Sequence, residues 1–351
     1  MKAIIFGVNG QDGSYLAELL LDKGYSVVGV TRRASTDNTS RLSACKANNN
    51  FKIINGDITD AHSIIDILSK NPDTDEIYNL AAQSHVYVSF KQPGLTWDIT
   101  GKGCLNILQS MVDLEMYSTR FYQASSSEMF GASYDVDKYG NKYQDENTKF
   151  LPQSPYAIAK CAAHYITRLF RESHGLHASS GILFNHEGPR RGDNFVTKKI
   201  TKWIGEFIRW KNNQVSYSTD IYPDKIVAIN NSTFPKLRLG NLDAFRDWGY
   251  AKEYVEAMWL MLQQEDPDDY VICTEETRTI RDFLNVAFNS IGIENWYENY
   301  VIIDPEFCRP AEVNYLCGKN TKAKTKLGWS PKTSFEDLVK LMVDFELNEN
   351  I

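Results

Sequence analysis

Apolar and amphipathic segments alternate at the start of the chain. Residues 1–7 form an apolar run that ends in glycine, Leu16, Leu19 and Leu20 recur at helical spacing, and a second apolar run covers 26–30. A short apolar run with no polar face predicts a strand buried on both sides, whereas recurrence at i, i+3 and i+4 predicts a helix. This segment therefore predicts a β-α-β unit.

The alternation continues to about residue 190. Further strands are predicted at 51–55, 76–80, 120–125 and 178–184, and further helices at 61–69, 100–114 and 155–175. Strands separated by helices predict an open parallel sheet covered on both faces, a Rossmann-type doubly wound α/β fold.

The pattern changes after residue 190. It predicts helices at 197–209, 252–264 and 279–291, the last started by Asp282, a strand at 270–273, two closing helices within 321–350, and a polar loop or hairpin at 211–235. We expect residues 1–190 to form mainly the nucleotide-binding domain. Residues 191–351 form a smaller C-terminal α/β substrate-binding region, with some exchange of chain between the two.

Composition excludes several classes of function. Lys and Arg number 38 against 45 Asp and Glu, and a net charge of −7 argues against a nucleic-acid partner. Since no apolar run approaches the about 20 residues that span a bilayer, we expect no membrane segment. Asn9, Gln11 and Asp12 interrupt the apolar start, so no signal peptide is expected and the location is cytoplasmic. Six cysteines without a C-x-x-C pair predict reduced thiols and no metal site.

A glycine-rich turn joins the first strand to the first helix. Gly7, Gly10 and Gly13 have the spacing G-x-x-G-x-x-G. Such a turn lets a pyrophosphate approach the backbone amides at the positive end of the helix. The sequence therefore predicts a dinucleotide site, although a purely structural tight turn would show the same glycines.

The end of the second strand indicates which dinucleotide is bound. Arg32, Arg33 and Ser35 follow this strand, and no acid stands there. A carboxylate at this place accepts from the ribose hydroxyl of NAD, whereas arginine accommodates the 2′-phosphate of NADP. We therefore expect NADP, with two solvated surface arginines as the alternative.

Two further segments carry candidate acid–base groups. Tyr156 and Lys160 lie four residues apart at the start of a predicted helix, so they project from one face. A nearby ammonium stabilises a phenolate, so the pKa of Tyr156 should fall. Ser126 and Glu128 follow a predicted strand, where parallel sheets bind their ligands. Alternatively these serines cap the next element. An acid beside a hydroxyl, a tyrosine and a lysine indicates a second proton transfer beyond simple hydride exchange.

Several strings together resemble one family. GVNGQDGSYL, NLAAQSHVYVSF, YQASSSEMFG, SPYAIAK, GILFNHEGPRRG, RDWGYAKEYVEAMWLMLQQ and FCRPAEVNYLCG are similar to segments of the GDP-mannose 4,6-dehydratases, which are NADP-dependent extended short-chain dehydrogenases/reductases. The resemblance covers nearly the whole chain. It implies that a GDP-linked hexose loses water across carbons 5 and 6, and that a hydride removed at carbon 4 returns to carbon 6. The product is a GDP-4-keto-6-deoxy sugar.

The resemblance also implies roles for individual residues. Tyr156 takes the proton of the 4-hydroxyl, Glu128 removes the proton at carbon 5 and helps expel the 6-hydroxyl, and Ser126 and Lys160 complete the catalytic set. Cofactor contacts fall on Gly7, Asn9, Gly10, Gln11, Asp12, Gly13, Arg32, Arg33, Ser35, Asp57, Ile58, Leu80, Ala81, Ala82, Ser84, Lys160, His186 and Arg191. Sugar-nucleotide contacts fall on Ser84, Asn185, Lys199, Arg246, Arg309 and Glu312. Two plainer alternatives are an ion pair of Arg246 with the adjacent Asp247 and a packed, polar His186.

The chain departs from the family pattern at four places. Ser126 replaces a usual threonine, Leu95 replaces a usual tyrosine, and segments 134–143 and 211–235 are expanded. The alternatives left open are therefore dehydration of another GDP-sugar such as a GDP-manno-heptose, a nucleotide-sugar epimerase or reductase, and a catalytically silent NADP-binding protein. Relatives assemble as dimers or tetramers. We expect a homodimer or homotetramer, with segment 34–42 either contacting a neighbouring subunit or forming a solvated loop.

Overall fold

The computed structural model describes residues 1–213, 226–229, 232–308 and 310–348. Its strands are, in chain order, β1 (Lys2–Phe6), β2 (Ser26–Thr31), β3 (Phe51–Asn55), β4 (Glu76–Asn79), β5 (Arg120–Ser126), β6 (Asp135–Val136), β7 (Lys142–Tyr143), β8 (Ala178–Leu183), β9 (Asn185–Glu187), β10 (Ile226–Ile229), β11 (Ser232–Pro235), β12 (Leu237–Leu239), β13 (Phe245–Arg246), β14 (Trp248–Tyr250), β15 (Asp269–Ile272), β16 (Arg278–Thr279) and β17 (Val301–Ile303).

The α-helices are, in chain order, α1 (Gln11–Asp22), α2 (Ser43–Lys46), α3 (Ala61–Ser69), α4 (Val86–Lys91), α5 (Pro93–Thr96), α6 (Gly103–Asp113), α7 (Pro155–His174), α8 (Val196–Asn213), α9 (Ala251–Leu262), α10 (Ile280–Asn289), α11 (Trp296–Tyr300) and α12 (Phe335–Asn348). Within the described ranges, no helix is both long and apolar enough to cross a lipid bilayer.

A seven-stranded sheet forms the centre of the fold. Its strand order is β15-β8-β5-β4-β1-β2-β3, and every neighbouring pair is parallel. The direction of winding reverses between β1 and β4, and ligands of such sheets bind beyond the carboxyl ends of the strands at this reversal. The predicted Rossmann-type doubly wound sheet is confirmed.

Apolar helix faces cover the sheet on both sides. Leu16 and Leu20 of α1 are buried with Met258 of α9 on one face. Ile107 of α6 and Phe170 of α7 are buried on the other face. Helices α8, α10 and α12 enclose a separate aromatic core in the C-terminal part of the chain. Two faces buried by helices explain why the central strands are apolar throughout.

The C-terminal part of the chain interleaves with the sheet. Strand β15 joins the sheet edge beside β8, although most of the chain after residue 190 lies outside the sheet. Conversely, β9 leaves the sheet and pairs in parallel with β14. The two parts are therefore joined by strand pairing on both sides of the point where β8 ends.

Some predicted boundaries were wrong. The helical region predicted at 100–114 begins earlier, because a π-helical segment at Trp97–Lys102 joins α5 to α6. Thr279 rather than Asp282 starts α10: its hydroxyl accepts from the Asp282 amide at 3.1 Å, and the Asp282 carboxylate accepts from the Thr279 amide at 2.8 Å. This reciprocal cap explains the aspartate at the third helical position.

The two expanded segments contain short hairpins. Strands β6 and β7 form an antiparallel pair within 134–143. Strands β10 and β11 pair within 211–235, while 214–225 and 230–231 of that segment lie outside the described residues. The expectation of a loop or hairpin therefore holds for the described residues from 226 onward but is wrong for 211–213, which continue helix α8.

Candidate active site

A large cavity of about 1100 Å³ opens beyond the carboxyl ends of the parallel strands. The residues that follow six of the strands line it: Gly7 after β1, Arg32 after β2, Gly56 after β3, Leu80 after β4, Ser127 after β5 and Phe184 after β8. Residues of the C-terminal part, among them Lys199, Arg246 and Glu312, line the same cavity. Both parts of the chain thus contribute to one site.

The glycine turn leaves backbone open to the cavity. A Cβ on Gly13 would overlap the carbonyl oxygen of Gly7 and the backbone of Val8, so the close contact between α1 and β1 requires glycine. Helix α1 follows Gly10, which provides no side-chain cap for the first amides. The side-chain oxygen of Gln11 is buried and has no hydrogen-bond partner among the described residues. These residues fit a bound dinucleotide, whose pyrophosphate would accept from the first-turn amides.

Asp12 and His186 join the start of α1 to β9. His186 Nε2 lies 2.8 Å from Asp12 Oδ2, and the His186 ring stacks on Tyr254 at 4.9 Å between centroids. Burial disfavours the charged form of both groups, but their mutual attraction outweighs it. The pKa of Asp12 is therefore lowered and the pKa of His186 is raised. His186 is an ion-pair partner rather than only a packed polar residue.

This pair makes stability depend on pH. The His186 contribution is complete below the ordinary imidazole pKa of about 6.5 and is lost as pH rises through its raised value. The Asp12 contribution is complete above the ordinary carboxyl pKa of about 3.9 and is lost as pH falls through its lowered value. Both contributions are complete between about pH 3.9 and about pH 6.5. We therefore expect the melting temperature of wild type to exceed that of His186→Gln most in this pH range. A difference that stays constant from acid to alkaline pH would contradict this linkage.

Tyr156 and Lys160 lie in the first turns of α7. The Ser154 hydroxyl accepts from the Ala157 amide at 3.1 Å and Pro155 occupies the first helical position, which together start the helix here. Lys160 Nζ donates to the carbonyl of Ala124 at 2.6 Å and lies 5.8 Å from the centre of the Tyr156 ring. The lysine thus ties α7 to the end of β5.

The expected fall in the pKa of Tyr156 was wrong. Burial, reinforced by the charge of Glu128, raises this pKa to about 12, against a hydrogen bond from Ser126 that lowers it. Burial also lowers the pKa of Lys160 to about 8. The ammonium binds a backbone carbonyl rather than the phenol, so desolvation decides both values.

The end of β5 brings a hydroxyl and a carboxylate to this tyrosine. The Ser126 hydroxyl accepts from the Glu128 amide at 3.3 Å, which starts the 3₁₀ turn Ser127–Met129. The same hydroxyl is hydrogen-bonded to Tyr156. Glu128 is 7% exposed and lines the cavity. Ser126 therefore both caps the 3₁₀ turn and lies beside the reacting groups.

Lys199, Arg246 and Glu312 line the side of the cavity that the C-terminal part of the chain forms, which we call the C-terminal wall. The guanidinium donates to the carbonyl of Val313 at 2.6 Å and to the carboxylate of Glu312 at 3.0 Å. Glu312, not Asp247, is thus an ion-pair partner of Arg246, and the alternative of an ion pair with the adjacent aspartate is wrong. The side-chain oxygen of Asn185 is buried without a hydrogen-bond partner in the described part of the chain.

The cavity brings most of the predicted site residues together. Its lining includes Gly7, Asn9, Gly10, Gln11, Asp12, Gly13, Arg32, Asp57, Ile58, Leu80, Ala81, Ala82, Ser84, Ser126, Glu128, Tyr156, Lys160, Asn185, His186, Arg191, Lys199, Arg246 and Glu312. Arg33 and Ser35 are exposed and do not line it, so the prediction that they contact the cofactor has no support in the cavity lining. Arg309 lies outside the described residues.

Arg41 and Phe307 are among the lining residues that the sequence reasoning missed. Arg41 reaches the cavity and donates to the carbonyl of Arg190 at 2.9 Å. Phe307 also lines the cavity, and Lys199 Nζ lies 3.7 Å from the centre of its ring. Neither belongs to a motif, so only their charge or aromaticity hinted at a role. Among the described residues, no group of three or more His, Cys, Asp or Glu side chains is placed to hold a metal ion.

The parallel sheet and the cavity at the carboxyl ends of its strands define a Rossmann-type dinucleotide-binding fold. Two solved structures have the same fold: UDP-glucose 4-epimerase of Thermus thermophilus, in complex with NAD, has a TM-score of 0.79 and 21% identity over 99% of both chains. The dTDP-glucose 4,6-dehydratase DesIV of Streptomyces venezuelae, with NAD and TYD bound, has a TM-score of 0.79 and 21% identity over 100% of this chain and 98% of its own.

The comparisons of sequence are more specific. A family model described as GDP-mannose 4,6 dehydratase matches residues 4–221 and 210–342. GDP-mannose 4,6 dehydratase 1 of Arabidopsis thaliana is 47% identical over 98% of this chain and 89% of its own length. The human GDP-mannose 4,6 dehydratase is 42% identical over 98% of this chain and 91% of its own length. The chain belongs to the GDP-mannose 4,6-dehydratase family and is an enzyme of this kind.

Proposed function

We propose that the chain catalyses the NADP-dependent 4,6-dehydration of GDP-mannose to GDP-4-keto-6-deoxymannose. The observation that carries this proposal is the placement of Glu128 in the same cavity as Tyr156 and the glycine turn. A reductase or epimerase needs the tyrosine and a bound nicotinamide but no base for carbon 5. A buried carboxylate within that cavity supports loss of water instead.

The cofactor proposal rests on the charges at one end of the site. Arg32 and Arg41 line the cavity, and no acid stands at the end of β2, in residues 32–36, to accept from a ribose hydroxyl. Arginine suits a 2′-phosphate because its planar guanidinium donates two parallel hydrogen bonds. The glycine turn, Asp57 and Lys160 would hold the remainder of the dinucleotide. When bound, NADP supplies hydride exchange with the sugar.

Replacing Arg32 should weaken the binding of NADP but not that of NAD. In Arg32→Ala we expect affinity for NADP to fall about tenfold and affinity for NAD to stay nearly constant, since a charged hydrogen bond is worth about 1.5–3 kcal/mol. Arg33→Ala is the matched control, because Arg33 lies outside the cavity lining. Fluorescence titration of each variant measures both affinities. An equal loss for the two nucleotides, or a larger loss in Arg33→Ala, would contradict this assignment.

The chain's own groups then divide the proton transfers. Tyr156 takes the proton of the 4-hydroxyl as carbon 4 is oxidised, and Ser126 steadies both the tyrosine and the sugar hydroxyl. The 4-ketone acidifies the hydrogen on carbon 5. Glu128 removes that proton and returns it with the departing 6-hydroxyl as water. Lys160 holds α7 against β5, and its charge, 5.8 Å from the centre of the Tyr156 ring, favours the phenolate that this step needs against the burial that disfavours it.

The sugar nucleotide is placed against the C-terminal wall. Arg246 and Lys199 supply positive charge for a diphosphate, and the unpartnered oxygen of Asn185 offers an acceptor to a hydroxyl. Ser84 and Glu312 complete the described set, and Arg309 is proposed by resemblance alone. The exposed Leu95, which lines the cavity in place of a tyrosine, is where a larger hexose analogue would be tolerated.

Product analysis tests this function. Mass spectrometry first identifies the nucleotide that copurifies with the protein, and the enzyme is then incubated separately with GDP-mannose, a GDP-manno-heptose and UDP-glucose. We expect bound NADP and a product of GDP-mannose that is lighter by one water. If only the GDP-manno-heptose is converted, the proposed substrate is wrong. If an epimer of unchanged mass forms, the proposed dehydratase activity is wrong.

We also infer a homodimer. Ile158, Tyr165 and Leu169 lie on one face of α7 and are 51%, 52% and 55% exposed. Leu105 of α6 and Trp97 of the adjoining π-helical segment are exposed as well. Exposed apolar side chains grouped on neighbouring helices are typical of a self-association surface. A second contact through the exposed residues 34–38 of segment 34–42 would make the assembly a tetramer.

Light scattering measures the assembly directly. We expect at least twice the chain mass for wild type and a smaller mass for Leu169→Glu, because a buried unpaired carboxylate is costly. Tyr139→Glu is the control, since Tyr139 is 77% exposed on the β6–β7 hairpin away from this face. A monomeric wild type would exclude the dimer.

A further inference from the structure

Asp247 is fully buried, and its carboxylate accepts four hydrogen bonds. Oδ1 accepts from the amide and the hydroxyl of Thr274 at 2.8 and 2.7 Å. Oδ2 accepts from the amides of Glu275 and Gly318 at 3.1 and 3.2 Å. All four donors come from segments that are distant from Asp247 in the sequence, so the carboxylate joins separate parts of the chain.

Asp247 lies between two short strands that pair in different directions. Strand β13, which carries Arg246, pairs antiparallel with β16. Strand β14 pairs parallel with β9, and Trp248 is the register partner of Asn185. Arg246 and Trp248 on either side line the cavity, whereas Asp247 does not. The carboxylate therefore faces away from the ligand space while its neighbours face it.

The donors belong to two segments, and the one that ends at Gly318 reaches the cavity through Glu312. Thr274 and Glu275 follow β15, the edge strand of the sheet. Gly318 lies at the end of the segment that carries Glu312, the ion-pair partner of Arg246. A Cβ on Gly318 would overlap the side chain of Cys273, so only glycine lets this amide reach the carboxylate. Asp247 thus holds both Arg246 and the Glu312 segment to the sheet.

We propose that Asp247 is a positioning residue for the sugar nucleotide, and that it acts through Arg246 and Glu312 without touching the ligand. This inference rests on the proposed function, because it takes that wall to hold the GDP-sugar. The four hydrogen-bond donors around this position explain why it holds a carboxylate. An asparagine would present one acceptor and one donor group to four donors, so at least two of the donors would lose their acceptor.

The experiment compares Asp247→Asn with a matched buried carboxylate elsewhere. Glu76 is also fully buried and accepts from Tyr25, Tyr78 and Gln263, but it lies at the amino end of β4, outside the cavity. Glu76→Gln therefore reports the general cost of losing a buried carboxylate. Melting temperature, retained NADP, KM and kcat for GDP-mannose are measured for wild type and both variants.

We expect both variants to melt at lower temperature, but only Asp247→Asn to raise KM, by about tenfold, with kcat and retained NADP nearly unchanged. A KM of Asp247→Asn within about twofold of wild type would overturn the inference, as would an equal rise in Glu76→Gln. If Asp247→Asn does not fold, Thr274→Val, which removes only the hydroxyl donor, should raise KM by about threefold, and an unchanged KM overturns the inference. A wild type that neither binds nor converts GDP-mannose would instead refute the proposed function.

Discussion

Glu128→Gln should lower kcat for dehydration of GDP-mannose by about 10²–10⁴-fold, because positioned acid–base groups contribute factors of this size. The amide keeps the shape of the side chain but cannot take the proton from carbon 5. Glu128 is buried at the end of β5, where its backbone amide is held by Ser126, so the substitution should leave the turn in place. Turnover is measured by the appearance of the keto-deoxy product.

Retained NADP and melting temperature separate this effect from misfolding. Both should equal the wild-type values in Glu128→Gln. Glu146→Gln is the matched control, because Glu146 is a partly buried carboxylate outside the cavity that accepts from the Val271 amide at 2.8 Å. Its turnover should stay within about twofold of wild type, as for a substitution away from the site. Full activity of Glu128→Gln would remove this carboxylate from the mechanism.

Tyr156→Phe should lower kcat by a similar factor of about 10²–10⁴. The substitution removes the hydroxyl that is bonded to Ser126 and leaves the buried ring in place. Because carbon 4 must be oxidised before water is lost, this variant should form both the reduced cofactor and the product more slowly by that factor when mixed with GDP-mannose. Absorbance of the reduced nicotinamide in a single-turnover mixture measures that step.

Tyr165→Phe provides the matched control on the same helix. Tyr165 is 52% exposed and does not line the cavity, so its loss of a hydroxyl should leave turnover unchanged. Rapid cofactor reduction by Tyr156→Phe would show that another group takes the proton of the 4-hydroxyl.

The periodic and local features of this protein could be predicted from its sequence. Apolar runs and helical spacing defined the parallel sheet, because strands buried on both faces tolerate few polar residues. Gly13 and the pair Tyr156 and Lys160 were predictable for a similar reason. A close backbone contact and an i, i+4 spacing are each set within a few residues.

The features that were missed depend on distant contacts. Arg41 lines the cavity and Arg33 does not, although both follow β2, and no local sequence pattern distinguishes these two arginines. The partners of Arg246 and His186 come from Glu312 and Asp12, far away in the sequence. The pKa of Tyr156 was predicted in the wrong direction because its burial depends on the packing of the whole site.

The most direct measurement is conversion of GDP-mannose in deuterium oxide, followed by mass spectrometry and NMR of the product. If Glu128 removes the proton at carbon 5 and that carbon is later protonated from solvent, the product is a 4-keto-6-deoxy sugar with one deuterium at carbon 5. A product sugar that keeps all its oxygen atoms would contradict the account. A dehydrated product without deuterium at carbon 5 would contradict it as well.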